Sequence, residues 1–271
     1  MFPDPDDVIE LTLIWEGERF EDGRPKVPDD DLRALSELTH EEVWDVLNIR
    51  GYEWCFAGGW KQTNPDKVLV GRAVTAHFMP FRPDLDAAMV VAAGETLGSQ
   101  NTWVIETLTP GDVMVADIHG KIREGTVIGD RLATAIVART GRGAVIDGGV
   151  RSVPGISALD ATFFYRDSDP TGLRDVTVAA VNGPVQIGDC TVLPGDVVLG
   201  NSSGITFIPP HLVGDVLDHS RTFRLRDAFG KQRLAEGRYQ SAAIDTRAWS
   251  RHIERDFAAW RDAREAARAE H

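Results

Sequence analysis

Apolar positions in this chain come in short blocks whose period changes from two to helical and back. VLVGRAVTAHF (68–78) and GDVMVAD (111–117) are apolar runs of strand length, and Gly71 inside the first predicts a bulge or a close backbone approach. From Asp130 the pattern turns helical, with Leu132, Ala133, Ala135, Ile136 and Val137 on one face. Asp130 stands at the expected N-cap, and Gly141 or Gly143 ends the helix. AVI (144–146) then reads as a buried strand and GGVR (148–151) as the turn out of it.

The flanks follow the same logic. In LTHEEVWDVL (38–47), Thr39 and Glu42 form a capping box ahead of Val43, Val46 and Leu47. PDLDAAMVVAAGETLG (83–98) predicts a helix with Pro83 near its start and Gly98 beyond its end. VTVAAV (176–181), DCTVL (189–193) and DVVLG (196–200) predict short strands between glycine turns. Two helices follow, over 209–237 and 244–271; Trp249, Ile253, Phe257 and Trp260 form a stripe that packs on the body or on a neighbouring subunit. Residues 1–30 show little periodicity and read as an irregular arm. The aromatic, glycine-rich GYEWCFAGGW (51–60) reads either as packing of the N-terminal extension on the core or as a pocket wall or subunit contact. Alternating strands and helices indicate an α/β fold. The expected divisions are an N-terminal extension over 1–64, a core domain over 65–215 and a C-terminal helical extension over 216–271.

Charge and cysteine content narrow the function. With 29 basic and 42 acidic side chains, the net charge of −13 argues against nucleic acid or an anionic membrane as partner. Cys55 and Cys190 match no metal spacing or disulfide framework and read as reduced core residues. No segment has the character of a signal peptide or a membrane span, so a soluble cytoplasmic protein is the default expectation.

The candidate chemistry sits between Asp130 and Arg151. A helix N-terminus beside a guanidinium is a receptor for a small anion. Arg151 is either a clamp on a substrate carboxylate, approached through the glycines before it, or a structural partner of Asp147. Asp130 can be both a cap and a base. His119, in DIHGK, is a candidate acid/base or an exposed loop residue; Lys121 beside it could attract anions. His77, His211, His219 and His252 lack ligand-like spacing and read as structural or surface residues. Gly141-Arg142-Gly143 ends a helix, so it is no dinucleotide fingerprint, and no nucleotide cofactor is expected.

Asp130, twenty intervening residues and Arg151, together with VGRAVTA (70–76), GDVMVAD, IGDRLA (128–133) and LPGDVVLGNSSGITFIP (193–209), resemble the RraA-like family. That family holds the regulators of RNase E activity and the class II pyruvate aldolases acting on 4-hydroxy-4-methyl-2-oxoglutarate. The resemblance implies a swivelling-domain-like, layered β/β/α core. It also implies assembly as a homotrimer or hexamer and an oxo-acid substrate. Arg151 would grip the pyruvyl carboxylate, with Gly129, Asp130, Arg131, Leu132 and Ser152 around it. In the family's aldolases an Asp following the Arg binds magnesium, and the Asp at the helix start holds metal-bound water. Ser152 stands in the ligand's place here, and GNSSG (200–204) replaces a usually acidic segment, which puts magnesium in doubt. Asn201, Ser202 and Ser203 also fit as plain turn formers. The expected activity is a carbon–carbon lyase, aldolase or decarboxylase in type, passing through an enolate, with His119 protonating the departing fragment. The alternatives are a metal-free hydratase or tautomerase using the same pocket, and a noncatalytic protein-binding trimer like the RNase regulators.

Overall fold

The computed structural model describes residues 4–94, 98–246 and 248–269. The chain divides into two compact units, Met1–Val216 and Leu217–His271.

Twelve strands build the first unit: β1 (Phe56–Ala57), β2 (Lys61–Gln62), β3 (Leu69–Pro80), β4 (Asp112–Asp117), β5 (Thr126–Ile128), β6 (Ala144–Val150), β7 (Phe164–Ser168), β8 (Val176–Val181), β9 (Val185–Ile187), β10 (Cys190–Val192), β11 (Val197–Asn201) and β12 (Gly204–Ile208). Ten of them form one mixed sheet in the order β1-β12-β11-β3-β4-β6-β7-β2, with β5 beside β6 and β8 beside β3. β9 and β10 form a separate hairpin. The helices are α1 (Pro5–Leu11), α2 (Asp29–Leu35), α3 (His40–Ile49), α4 (Pro83–Ala93), α5 (Gln100–Glu106), α6 (Asp130–Thr140), α7 (Val153–Ser157), α8 (Val213–Ala235), α9 (Ser241–Ile244) and α10 (Arg251–Ala269).

Strand alternation produces the layers. Val74 and Ala76 of β3, Met114 and Ala116 of β4, and Ala144 and Ile146 of β6 face one core, shared with Met89 of α4, Val104 of α5 and Ile136 of α6. Their neighbours Ala73, Val113, Val115 and Val145 face a second core, closed by Val185, Ile187, Cys190 and Val192 of the hairpin. Hairpin, sheet and helices are thus stacked as a β/β/α sandwich, the architecture expected. β3, β4 and β6 run parallel, and their register sets His77 opposite Asp117 and Asp117 opposite Asp147. Three titratable side chains therefore stand in a row across three neighbouring strands.

Several expectations change in detail. The N-terminal arm is ordered: Asp4 caps α1 through a capping box. Arg24, 1% exposed, reaches β4 and donates to Asp112 at 2.8 and 3.1 Å. Periodicity missed this because contacts distant in sequence hold the arm: the buried Arg24–Asp112 pair, and Arg72 of β3 donating to the Val27 carbonyl at 2.7 Å. The capping box of Thr39 and Glu42 opens α3 as read. α4 begins at Pro83 but ends at Gly94, whose φ of 65° stops the helix; the segment 95–97 of the predicted helix lies outside the described residues. β6 does not stop at Ile146 but continues through Gly148 and Gly149, with a register shift against β7 there. A Cβ on Gly148 would lie 2.0 Å from Ile118 Cγ2, and one on Gly149 would lie 2.7 Å from the Ile122 carbonyl oxygen. These glycines make room for the protein's own loop, not for a ligand. Gly71 marks a close approach of the same kind, 2.5 Å from the Gly111 carbonyl oxygen.

In the second unit the predicted stripe packs within the unit: Ile253 and Phe257 of α10 bury Phe229 of α8, with Trp249 and Trp260 at the edges. Arg233 donates to Asp256 at 2.9 Å through both Nε and a terminal nitrogen, and Tyr239 donates to the same carboxylate. Among the described residues, no helix is long and apolar enough to cross a membrane.

Candidate functional site

The site begins where β5 hands over to α6. Gly129 is the N-cap and Asp130 the first helical residue, so the helix starts one residue earlier than expected. The N-cap glycine has no side chain to cap this terminus, and the first backbone bond back to it is Ala133 N–H to the Gly129 carbonyl at 2.9 Å. Among the described residues, the amides of Asp130 and Leu132 are thus the free donors of the helix start, the Arg131 N–H being taken by the Asp130 carboxylate. Gly141, in the left-handed region, ends α6 as predicted.

Arg151 leaves β6 beside this terminus. Its N–H donates to the Ile128 carbonyl at 3.0 Å, which fixes its backbone against β5. A Cβ on Gly129 would lie 3.1 Å from Arg151 Cγ and 3.2 Å from Nε, so the guanidinium stem lies across the glycine. Asp130 is held from the other side: a Cβ on Gly155 of α7 would lie 2.8 Å from Asp130 Cβ. One Asp130 oxygen accepts the Arg131 N–H at 3.0 Å. Both Asp130 and Arg151 are exposed. Among the described residues no protein group pairs with the Arg151 guanidinium; Asp147, its alternative partner, is engaged by Arg166 at 2.6 and 3.3 Å and by the Gly188 N–H at 3.0 Å. An uncapped helix terminus, an unpaired guanidinium and a carboxylate make a cradle for a small anion that also presents a base.

Ser152 follows in the left-handed region at φ 55° and is the N-cap of α7. The cradle's donor set does not fit the magnesium implied by the family resemblance. Ser152 offers a neutral hydroxyl, and Asp147 is committed to Arg166. Asp130 alone supplies charge, where magnesium prefers hard carboxylate oxygens in a near-octahedral set.

His119 makes its contacts elsewhere. Its ring Nε2 lies 3.3 Å from His77 Nε2, and its N–H donates to Asp117 at 3.0 Å. None of its contacts among the described residues is with Arg151 or Asp130. Lys121 donates to the Arg174 carbonyl at 2.6 Å. His77, read from the sequence as structural, meets His119 because β3 and β4 pair in register, which no spacing along one strand reveals. In GNSSG, the Asn201 amide oxygen accepts the Ser203 N–H at 2.9 Å and lies 2.9 Å from His40 Nε2. That segment is the turn joining β11 to β12. His40 is buried, which lowers its pKa, and its other ring nitrogen lies 2.8 Å from Thr206 Oγ1. Because an amide oxygen only accepts, Nε2 donates to Asn201.

GYEWC forms the wall of a separate cavity of about 350 Å³, with Leu13, Trp15, Trp54, Asp196 and His211 among its lining residues. Asp196 is 5% exposed and accepts the Leu193 N–H at 2.8 Å; burial pushes its carboxyl up to about 7. Cys55 and Cys190 are buried free thiols, pushed up to about 11 and about 12 by burial first and nearby negative charge second, as core cysteines should be.

A layered β/β/α core with an Asp–Arg cradle at a helix start is a recognisable class. The family model described as RraA-like, Aldolase/RraA, matches residues 41–207. That is more than half of the chain, and the protein belongs to the RraA-like family. A curated relative from Halalkalibacterium halodurans, provisionally named a 4-hydroxy-4-methyl-2-oxoglutarate aldolase, is 25% identical over 146 residues, covering 54% of this chain and 68% of its own. Among solved structures, Streptomyces coelicolor RraAS2, described as an unusual member of the RNase ES inhibitor RraA family, aligns with a TM-score of 0.65 at 22% identity, covering 77% of this chain and 98% of that one. A Pseudomonas syringae pv. tomato protein of uncharacterised function aligns with a TM-score of 0.66 at 21% identity, over 82% of this chain and 95% of its own. At such identities the structural likeness establishes the fold alone.

Proposed function

We propose that the protein is a carbon–carbon lyase that cleaves a small 4-hydroxy-2-oxo acid in the Asp130–Arg151 cradle. The unpaired Arg151 guanidinium beside the uncapped start of α6 is the observation that carries this reading. The substrate carboxylate binds Arg151, and the 2-oxo oxygen faces the free amides of Asp130 and Leu132. Asp130 takes the proton of the 4-hydroxyl. The C3–C4 bond then breaks, C4 becomes a carbonyl, and the electron pair moves into an enolate on the 2-oxo oxygen. Arg151 and the helix amides stabilise that negative charge; donors so placed are each worth roughly 3–4 kcal/mol in other enzymes. The enolate carbon regains a proton from Asp130 or from water, which releases a pyruvate-type product. The relative named as an aldolase supports this substrate class.

A coupled assay for pyruvate release across a series of 4-hydroxy-2-oxo acids tests the proposal. Turnover by the wild type, reduced roughly 10²–10⁴-fold in Asp130→Asn with binding retained, is the expected result. No release from any member of the series sinks the lyase reading and favours a protein-binding role like that named for the Streptomyces relative.

A further inference from the structure

We propose that His77, Asp117 and His119 form a binding site for a divalent first-row transition ion, separate from the cradle. His77 Nε2 and His119 Nε2 lie 3.3 Å apart. His77 Nε2 lies 4.0 Å from Asp117 Oδ2, about 0.7 Å beyond ligand spacing, and one donor atom from each residue can be chosen so that all three lie within 4.8 Å of one another. Two donors about 2.05 Å from one tetrahedral ion lie about 3.3 Å apart, so the two imidazoles are already at ligand spacing, and the carboxylate closes the third side with a shift of no more than about 1.5 Å.

The sequence assembles this group from three local constraints. Parallel pairing of β3 with β4 sets His77 opposite Asp117. The left-handed backbone at His119, φ 54°, bends the chain after β4 so that its ring meets His77 edge to face. The carboxylate is aimed by two amides: the His119 N–H on Oδ1 at 3.0 Å and the Gln186 N–H on Oδ2 at 3.2 Å. Such bonds orient a carboxylate ligand without using all of its lone pairs. Asp117 is 3% exposed in its side chain, whereas His77 and His119 are 28% and 52% exposed. The ion would rest on the buried carboxylate with its outer positions open to water. Two imidazoles and one carboxylate suit zinc, cobalt or iron(II) rather than magnesium, which prefers oxygen ligands.

The test is titration of metal-stripped wild-type protein with cobalt(II), read by visible absorption, and with zinc(II), read by calorimetry. The expected result is one ion per chain, with binding weakened at least about tenfold in His77→Ala and in His119→Gly. Glycine is chosen at 119 because it adopts the positive φ without strain, so loss of binding there is not loss of fold. His211→Ala, outside the cluster, retains wild-type affinity. Equal affinity in wild type and His119→Gly, no binding by wild type, or binding abolished by Asp130→Asn but not by His77→Ala would each overturn the proposal. The last outcome would place the ion in the cradle.

Discussion

Asp196 gives the protein a calculable pH dependence. Its carboxyl is 5% exposed, accepts one hydrogen bond among the described residues, from the Leu193 N–H, and has its pKa raised by burial from 3.8 to about 7. Between those values the folded chain keeps a proton that the unfolded chain releases. The contribution of Asp196 to stability is therefore fully present below about pH 4, is lost as pH rises towards 7, and is constant above. The span of about three pH units, at about 1.36 kcal/mol each, amounts to about 4 kcal/mol. Asp196→Asn keeps an acceptor for Leu193 and is neutral at every pH, so it removes this slope alone. Urea unfolding of wild type and variant at matched pH values from 4 to 8, read by tryptophan fluorescence, isolates the difference. The two should be similar near pH 4, and the variant should gain about 4 kcal/mol on the wild type by pH 7. A constant difference across that range, or one that favours the wild type at pH 7, refutes the reasoning.

Arg24→Ala strands the Asp112 carboxylate, 0% exposed, with only its Thr109 contacts; a loss of about 3–5 kcal/mol in urea unfolding is expected, and a loss under 1 kcal/mol would show that the arm does not need the ion pair. Ser152→Asp restores a carboxylate at a backbone conformation Asp tolerates, so magnesium affinity by calorimetry should rise; an unchanged titration would show that the cradle cannot hold the ion even with a second charge. Exposed Leu13, Ile14, Trp54 and Val91 offer apolar contact area, and light scattering should give the mass of three or six chains; a stable monomer at micromolar concentration would contradict the assembly expected from the family.

What could be read from the sequence was what one element shows by itself. The Thr39–Glu42 cap, the apolar runs of β3 and β4, and the glycine stop of α6 are local, and all three appear. The layered fold needed the ordered set of motifs, because periodicity does not say which strands pair. Contacts across elements stayed hidden. Arg24 meets Asp112 from 88 positions away, and Arg166 rather than Arg151 takes Asp147. Glycines 148 and 149 suggested ligand access at Arg151, yet the loop through Ile118 and Ile122 fills that space. His77 has no partner within its own strand; only the β3–β4 register joins it to Asp117 and His119.

If Arg151 and the α6 terminus form an oxo-acid cradle, a binding measurement detects it without requiring turnover. Oxalate, a planar dianion that mimics the pyruvate enolate, can be titrated calorimetrically into wild type and Arg151→Ala. Losing a charged hydrogen-bond partner of this kind costs roughly 2–5 kcal/mol, or about thirtyfold or more in Kd. The account predicts binding by the wild type and a loss of at least that size in the variant, with the same melting temperature. Affinities within about threefold of each other, or no binding of oxalate by the wild type, would contradict it.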